Sequence, residues 1–210
     1  MSILRSAWQV VRDDWRAYSL INVAYYGLVV AGMAYSLVSP GLQQALIEGV
    51  SETLGPGGGL EPVSDAYNSG NVAAAAGVTF AVNLLLGSFL VLTLPSLVLP
   101  FSGILMGFYR AVLWGLLLAP QGALALVMIP HSVTLVLEGQ GYILAMLGAY
   151  TIGKGLLRPQ AYGASGHRAG YAEGLRRCAR LYVLVALVLA VAAVYEAVEV
   201  ILMITLARGG

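Results

Sequence analysis

Five ionisable side chains fall inside or at the mouth of long apolar runs: Arg110, His131, Glu138, Glu196 and Glu199. Glu196 and Glu199 are i and i+3, so a helix places both on one face. A lone charge at the centre of a bilayer costs roughly 2.5–3.5 kcal/mol on insertion scales. Such groups on separate segments are tolerable only if they converge inside a bundle or line water. One arginine cannot balance three carboxylates, so a proton, a cation or His131 must complete the set. Three chemistries follow: a structural ion-pair cluster that fixes helix register, a proton or cation site, and a metal site from His131, Glu138, Glu196 and Glu199. The third has suitable ligand types, but only one histidine and no HExxH-type spacing. No serine stands in a nucleophile elbow and no acid–base pair faces an evident cleft, so no enzyme and no cofactor is expected.

The elements that must hold these groups follow from composition. Of 210 residues, 59% are hydrophobic and 10% charged, against roughly a quarter charged in a soluble domain. A water-soluble globule and a disordered chain are both excluded. The formal charge of +1 gives no basic footprint for nucleic acid. One cysteine, Cys178, excludes a disulfide framework; Arg176, Arg177 and Arg180 beside it favour its thiolate, although a lone cysteine is more often incidental than a redox switch. The expectation is an all-α, polytopic membrane helix bundle forming one integral membrane domain over residues 1–210.

Crossing the hydrocarbon takes about 20 mostly apolar residues. Such runs cover residues 18–38, 72–94, 101–119, 132–152 and 181–207, which predicts five transmembrane helices. Pro95 and Pro100 predict a tight turn between the second and third. Residues 121–129, bracketed by Pro120 and Pro130, are too short to span and predict a short half-helix beside the bundle. The segment 1–17 alternates Ile3, Leu4, Trp8, Val11 and Trp15 with Arg5, Arg12, Asp13 and Arg16, which predicts an interfacial amphipathic helix anchored by Trp8 and Trp15. Basic residues gather there and in segment 154–180, whereas the loop 39–71 has none and carries Glu48, Glu52, Glu61 and Asp65. The positive-inside rule then puts the N-terminus in the cytoplasm, segment 154–180 inside and loop 39–71 outside, in the cytoplasmic (inner) membrane. A short helix at 40–54 is expected before the glycine-rich linker at 55–59.

Counting about 1.5 Å per residue from the outer ends puts Arg110 at about 13 Å, Glu138 at about 10 Å, Glu199 at about 14 Å and Glu196 at about 18 Å, one slab slightly external to the midplane. Gly103, Gly107, Ala111 and Gly115 recur every four residues on the third span, as do Gly141, Ala145, Ala149 and Gly153 on the fourth. Small-residue stripes allow close helix approach. The two would cross each other tightly, or one would pair within the chain and one across a homodimer. Asn83, Gln121 and Gln140 are expected as interhelical hydrogen bonders.

The order of these features resembles the stage II sporulation protein M family. The resemblance rests on a basic amphipathic start, a long external loop, Phe80 and Asn83, the Leu94-Pro95 step, and Gly103, Gly107 and Phe108. It continues with Pro130-His131 and the Tyr195-Glu196-Ala197 step. Family members often continue from Pro-His with Gly and a Glu one turn on; this chain has Ser132 and Leu135 there, and its acid comes at Glu138. The resemblance implies a non-enzymatic membrane scaffold or subunit acting with other envelope membrane proteins, and the glutamate of the aromatic-Glu-Ala step carries over to Glu196. The acidic outer loop and the inner Arg176, Arg177 and Arg180 would be contact surfaces, the latter also for anionic headgroups of the lipid bilayer. The alternative is a small channel or transporter in which Arg110, Glu138, Glu196 and Glu199 bind a proton, cation or small solute.

Overall fold

A computed structural model describes residues 2–122 and 124–209, and every regular element in them is helical. α1 (Ile3–Asp13) starts at a Ser2 cap and turns at Asp14 into α2 (Trp15–Val38). Outside the bundle lie α3 (Pro40–Leu54) and α4 (Glu61–Asn68). The second apolar run is one continuous rod of three parts: α5 (Val72–Ala81), a π-helical stretch (Val82–Thr93) and α6 (Leu94–Val98). α7 (Ser102–Leu117), α8 (Leu124–Leu157), a 3₁₀ turn (Pro159–Tyr162) and α9 (His167–Gly209) complete the chain. Four rods are long and apolar enough to cross a membrane: Trp15–Val38, Val72–Val98, Leu124–Leu157 and His167–Arg208. The fifth expected span, α7, has 16 helical residues, about 24 Å of helix.

α8 and α9 form the central antiparallel pair. Glycines make the approach close: a Cβ at Gly141 would meet the Leu189 side chain, one at Gly148 the Cys178 Sγ at 2.8 Å, and one at Gly174 the Thr151 carbonyl at 2.6 Å. Along α8, Ile143, Ala145, Met146, Leu147, Ala149 and Ile152 expose 0% of their surface. α2 packs on α7 through Gly32 and Gly115, where added Cβ atoms would collide with the Val112 and Val29 carbonyls.

Both small-residue stripes lie buried within one chain, and they do not face each other. Gly103 packs under Leu92 and Ser96, Gly107 under Met146, and Gly115 under α2, while Gly141 receives Leu189 and Gly153 the Phe101 ring. Small residues here admit side chains and carbonyls from several neighbours within the chain.

Three local expectations are corrected or narrowed. The expected half-helix at 121–129, of which residue 123 lies outside the described residues, is not separate: from Leu124 the chain runs through Pro130 as one helix, α8. The missing Pro130 N–H falls within the first two turns, and the Pro130 carbonyl accepts from the Tyr195 hydroxyl at 3.2 Å. The turn between the second and third runs is shorter than the interval between its prolines. Pro95 lies in the first turn of α6, and only Leu99, Pro100 and Phe101 reverse the chain. Phe101 adopts φ 66°, and its ring lies 6.1 Å from that of Tyr150. The second run departs from α geometry over 12 residues. Its buried positions Asn83, Ser88 and Thr93 recur every five residues, as Gly87 and Leu92 also do, a repeat that suits the wider π turn, whereas a 3.6-residue helix would spiral them off the contact face.

α1 does not lie free in the interface. Ala7, Val10 and Val11 are buried in the bundle, and Arg177 bonds Asp13 at 3.1 Å. Trp8 and Trp15 remain half exposed, at 50% and 54%, beside the exposed Ile3 and Leu4. The apolar face therefore divides, with Val11 turned to protein and the tryptophans turned outward. Asp14, buried at the α1–α2 corner, is bonded by Lys154 Nζ from the end of α8. Arg177 also stacks 4.3 Å over the Tyr162 ring, whereas Arg176 reaches Glu173 at 3.3 Å and Arg180 is exposed. Cys178 is buried against Gly148, away from the arginines that flank it in sequence.

Candidate functional site

The bundle brings the intramembrane ionisable groups into one connected polar layer. Arg110 on α7 donates from Nη2 to the Tyr142 hydroxyl at 2.8 Å. That hydroxyl donates to Asn83 Oδ1 at 2.8 Å, and Asn83 Nδ2 donates to Glu138 Oε1. The Glu138 carboxyl lies within hydrogen-bonding reach of the Glu196 carboxyl on α9, which in turn faces the Tyr67 hydroxyl of α4. Tyr67 and Thr79 hydroxyls are 2.9 Å apart. One turn beyond, Glu199 accepts from Thr134 at 2.9 Å and contacts His131 Nδ1 at 3.2 Å. The ionisable residues that the sequence places in the apolar runs thus lie in neighbouring groups.

The pairing within the layer differs from a simple ion pair. Among the described residues Arg110 contacts no carboxylate: Tyr142 and Asn83 stand between it and Glu138. Its guanidinium is held instead by aromatic faces, 4.2 Å from the Tyr142 ring centre and 5.4 Å from that of Trp114. The four ligand-type residues split into two pairs, Glu138 with Glu196 and His131 with Glu199. Among the described residues no group of three or more His, Cys, Asp or Glu is placed to hold a metal. Two facing carboxyls hold together only with a proton or another cation between them. Glu196 Oε2, buried without a donor, marks that need.

Several members were missed in the sequence. Tyr142 and Thr134 flank Glu138 at i+4 and i−4, so with His131 they form one stripe of α8. That spacing was a usable signal. Tyr67 gave none, because its place depends on how the segment 39–71 folds. Burial first, then the nearby Glu196 carboxyl, pushes the Tyr67 phenol up, which keeps it a donor at neutral pH.

A second polar set ties α2 to α8. Gln140 accepts from Tyr18 at 2.6 Å and donates to Asn22 at 2.8 Å, and Tyr26 donates to the Val136 carbonyl at 2.9 Å. Gln121 and Gln43 similarly close the outer ends, donating to the Ser36 carbonyl at 2.9 Å and the Ala119 carbonyl at 2.8 Å. Asn83 and Gln140 bond between helices, as their positions suggested, whereas Gln121 bonds to α2 from the connection between α7 and α8.

Two cavities touch the polar layer. One, about 440 Å³, lies between the π-helical stretch and α7 beneath α3, with Arg110 and Asn83 in its wall. The other, about 380 Å³, is lined by Glu199, Tyr195, Pro130 and Met203. Comparison with protein-family models, with curated proteins and with solved structures yields no match in any of the three.

Proposed function

We propose that this chain is a non-enzymatic, five-span protein of the cytoplasmic membrane, with its N-terminus inside, that serves as a scaffold or subunit for envelope-remodelling partners. Its resemblance to the stage II sporulation protein M family points the same way. The observation that carries the reading is the seal beneath the polar layer. Inward of Glu138, the α8 side chains from Ile143 to Ile152 are almost wholly buried and almost all apolar, so along this stretch α8 gives the layer no polar continuation toward the basic end, and the Gln140, Tyr18 and Asn22 set beside it is closed on itself between α2 and α8. It joins the second rod, α7, α8 and α9 to external α4 through Tyr67, and thereby fixes the outer cap that a partner would meet. The α7 helix completes the fifth crossing: it begins at Phe101 beside Gly153 and ends where Gln43 caps its last carbonyls. On the outer cap, Glu48, Glu52 and Asp65 are exposed; at the other end Arg176 and Arg180 are.

Reconstitution into liposomes tests this directly. Proton and monovalent-cation flux should equal that of empty vesicles, and mild solubilisation from the native membrane should retain bound envelope proteins. Flux that Glu196→Gln abolishes would replace the scaffold with the second reading, a small channel or transporter. That reading is favoured by one feature, the Glu138–Glu196 carboxyl pair, which takes a proton or cation to bind together.

A further inference from the structure

The cavity between the π-helical stretch and α7 is set apart from the carboxyl pair, and its wall holds a guanidinium with unused donors. Arg110 has five N–H groups, and among the described residues one of them, on Nη2, finds a protein acceptor, the Tyr142 hydroxyl. Nε is buried and, among the described residues, has no partner. Gly87 makes the slot: a Cβ there would stand 3.3 Å from Arg110 Nη1 and 3.2 Å from the Tyr142 ring. Around the guanidinium the walls are apolar, from Leu86 and Val91 on one side to Leu113 and Leu117 on the other, and Leu46 and Val50 of α3 close the outer end.

We propose that this cavity binds a single-chain apolar carboxylate of the fatty-acid type, with its carboxylate on the Arg110 guanidinium and its tail along the walls toward α3. The charge selects the head group. One planar guanidinium, with no second cation in the lining, matches one carboxylate in a two-pronged bond, whereas the second negative charge of a phosphate monoester would go unmatched. The volume of about 440 Å³ sits in the lower part of the roughly 300–1,000 Å³ range of small-molecule sites, which suits one chain. Glu138 does not fill the role, because Tyr142 and Asn83 hold it off the guanidinium.

The chain has three tryptophans, and Trp114 lines this cavity. Purified Trp8→Phe/Trp15→Phe protein in detergent therefore reports occupancy through Trp114 fluorescence, quenched by a brominated fatty acid. Saturable quenching is expected, with the methyl ester of the same acid binding about tenfold more weakly because it lacks the charge. Arg110→Gln should shift the midpoint by about tenfold, and Leu86→Phe, which narrows the cavity without touching the guanidinium, should weaken it as well. Thermal unfolding checks each variant. If Arg110→Gln fails to fold, the acid–ester difference and Leu86→Phe decide alone. Quenching that never saturates, that is equal for acid and ester, that Leu86→Phe leaves unchanged, or that a brominated diacyl phospholipid produces more tightly than the acid would overturn the proposal.

Discussion

Asn83 is the residue on which the polar layer depends, because its amide uses both ends, accepting from Tyr142 and donating to Glu138. Asn83→Leu removes both bonds and strands two buried groups, which should lower stability by about 1–3 kcal/mol, measured as thermal unfolding in detergent. Asn83→Asp keeps the size but adds a like charge beside Glu138, so it should be the worse of the two. A different residue-scale property concerns Cys178. With 4% of its surface exposed and its Sγ against Gly148, it should resist maleimide in the folded protein and react once detergent or heat opens the α8–α9 pair. Rapid labelling of native protein would contradict that packing. The neighbouring arginines suggest reactivity when the sequence is read linearly. The helix turns the sulfur to the opposite side, and linear spacing alone does not reveal which side a neighbour occupies.

At the scale of elements, backbone contact distinguishes the glycines more sharply than their spacing does. Gly103 touches the Leu92 carbonyl so closely that an added Cβ would overlap it, whereas Gly77, on the exposed side of α5, has nothing within 4 Å. Gly103→Ala should cost more than about 2 kcal/mol through overpacking, while Gly77→Ala should be neutral or stabilise by up to about 1 kcal/mol through helix propensity. Equal yields and equal unfolding temperatures for the two would refute the packing of the second rod on α7. The four-residue spacing made these glycines visible in the sequence. It did not say which neighbour each meets, because a stripe fits carbonyls, a methionine or an aromatic ring equally well. The π-helical stretch was hidden for a related reason: its five-residue repeat of Asn83, Ser88 and Thr93 becomes meaningful only when the buried face is known.

At the scale of the molecule, one end of the bundle collects α1, the 3₁₀ turn and the start of α9, and the other collects α3 and α4. In a Cys178→Ser background, Ser51→Cys and Pro120→Cys should take up a membrane-impermeant maleimide on intact cells, and Gln160→Cys only after permeabilisation. All three positions are exposed. Labelling of Pro120→Cys from the inside would mean that α7 does not cross and that the chain has four spans. The lengths explain why this is the uncertain crossing. About 24 Å of regular helix falls short of a hydrocarbon core of about 30 Å, so a crossing by α7 would need Leu118, Ala119 and local thinning of the bilayer to complete it.

Composition and charge placement by themselves determined that the chain is a helical membrane bundle, where its apolar runs lie, and which ionisable residues must turn inward, because the cost of exposing a charge to lipid depends only on residue type and depth. Which partner each inward group takes was decided by the tertiary structure alone. Arg110 lies nearest Tyr142 rather than a glutamate, Glu138 meets Glu196, and Tyr67 arrives from outside the bundle, since helix rotation and the wider π turn set side-chain directions that no one-dimensional spacing contains.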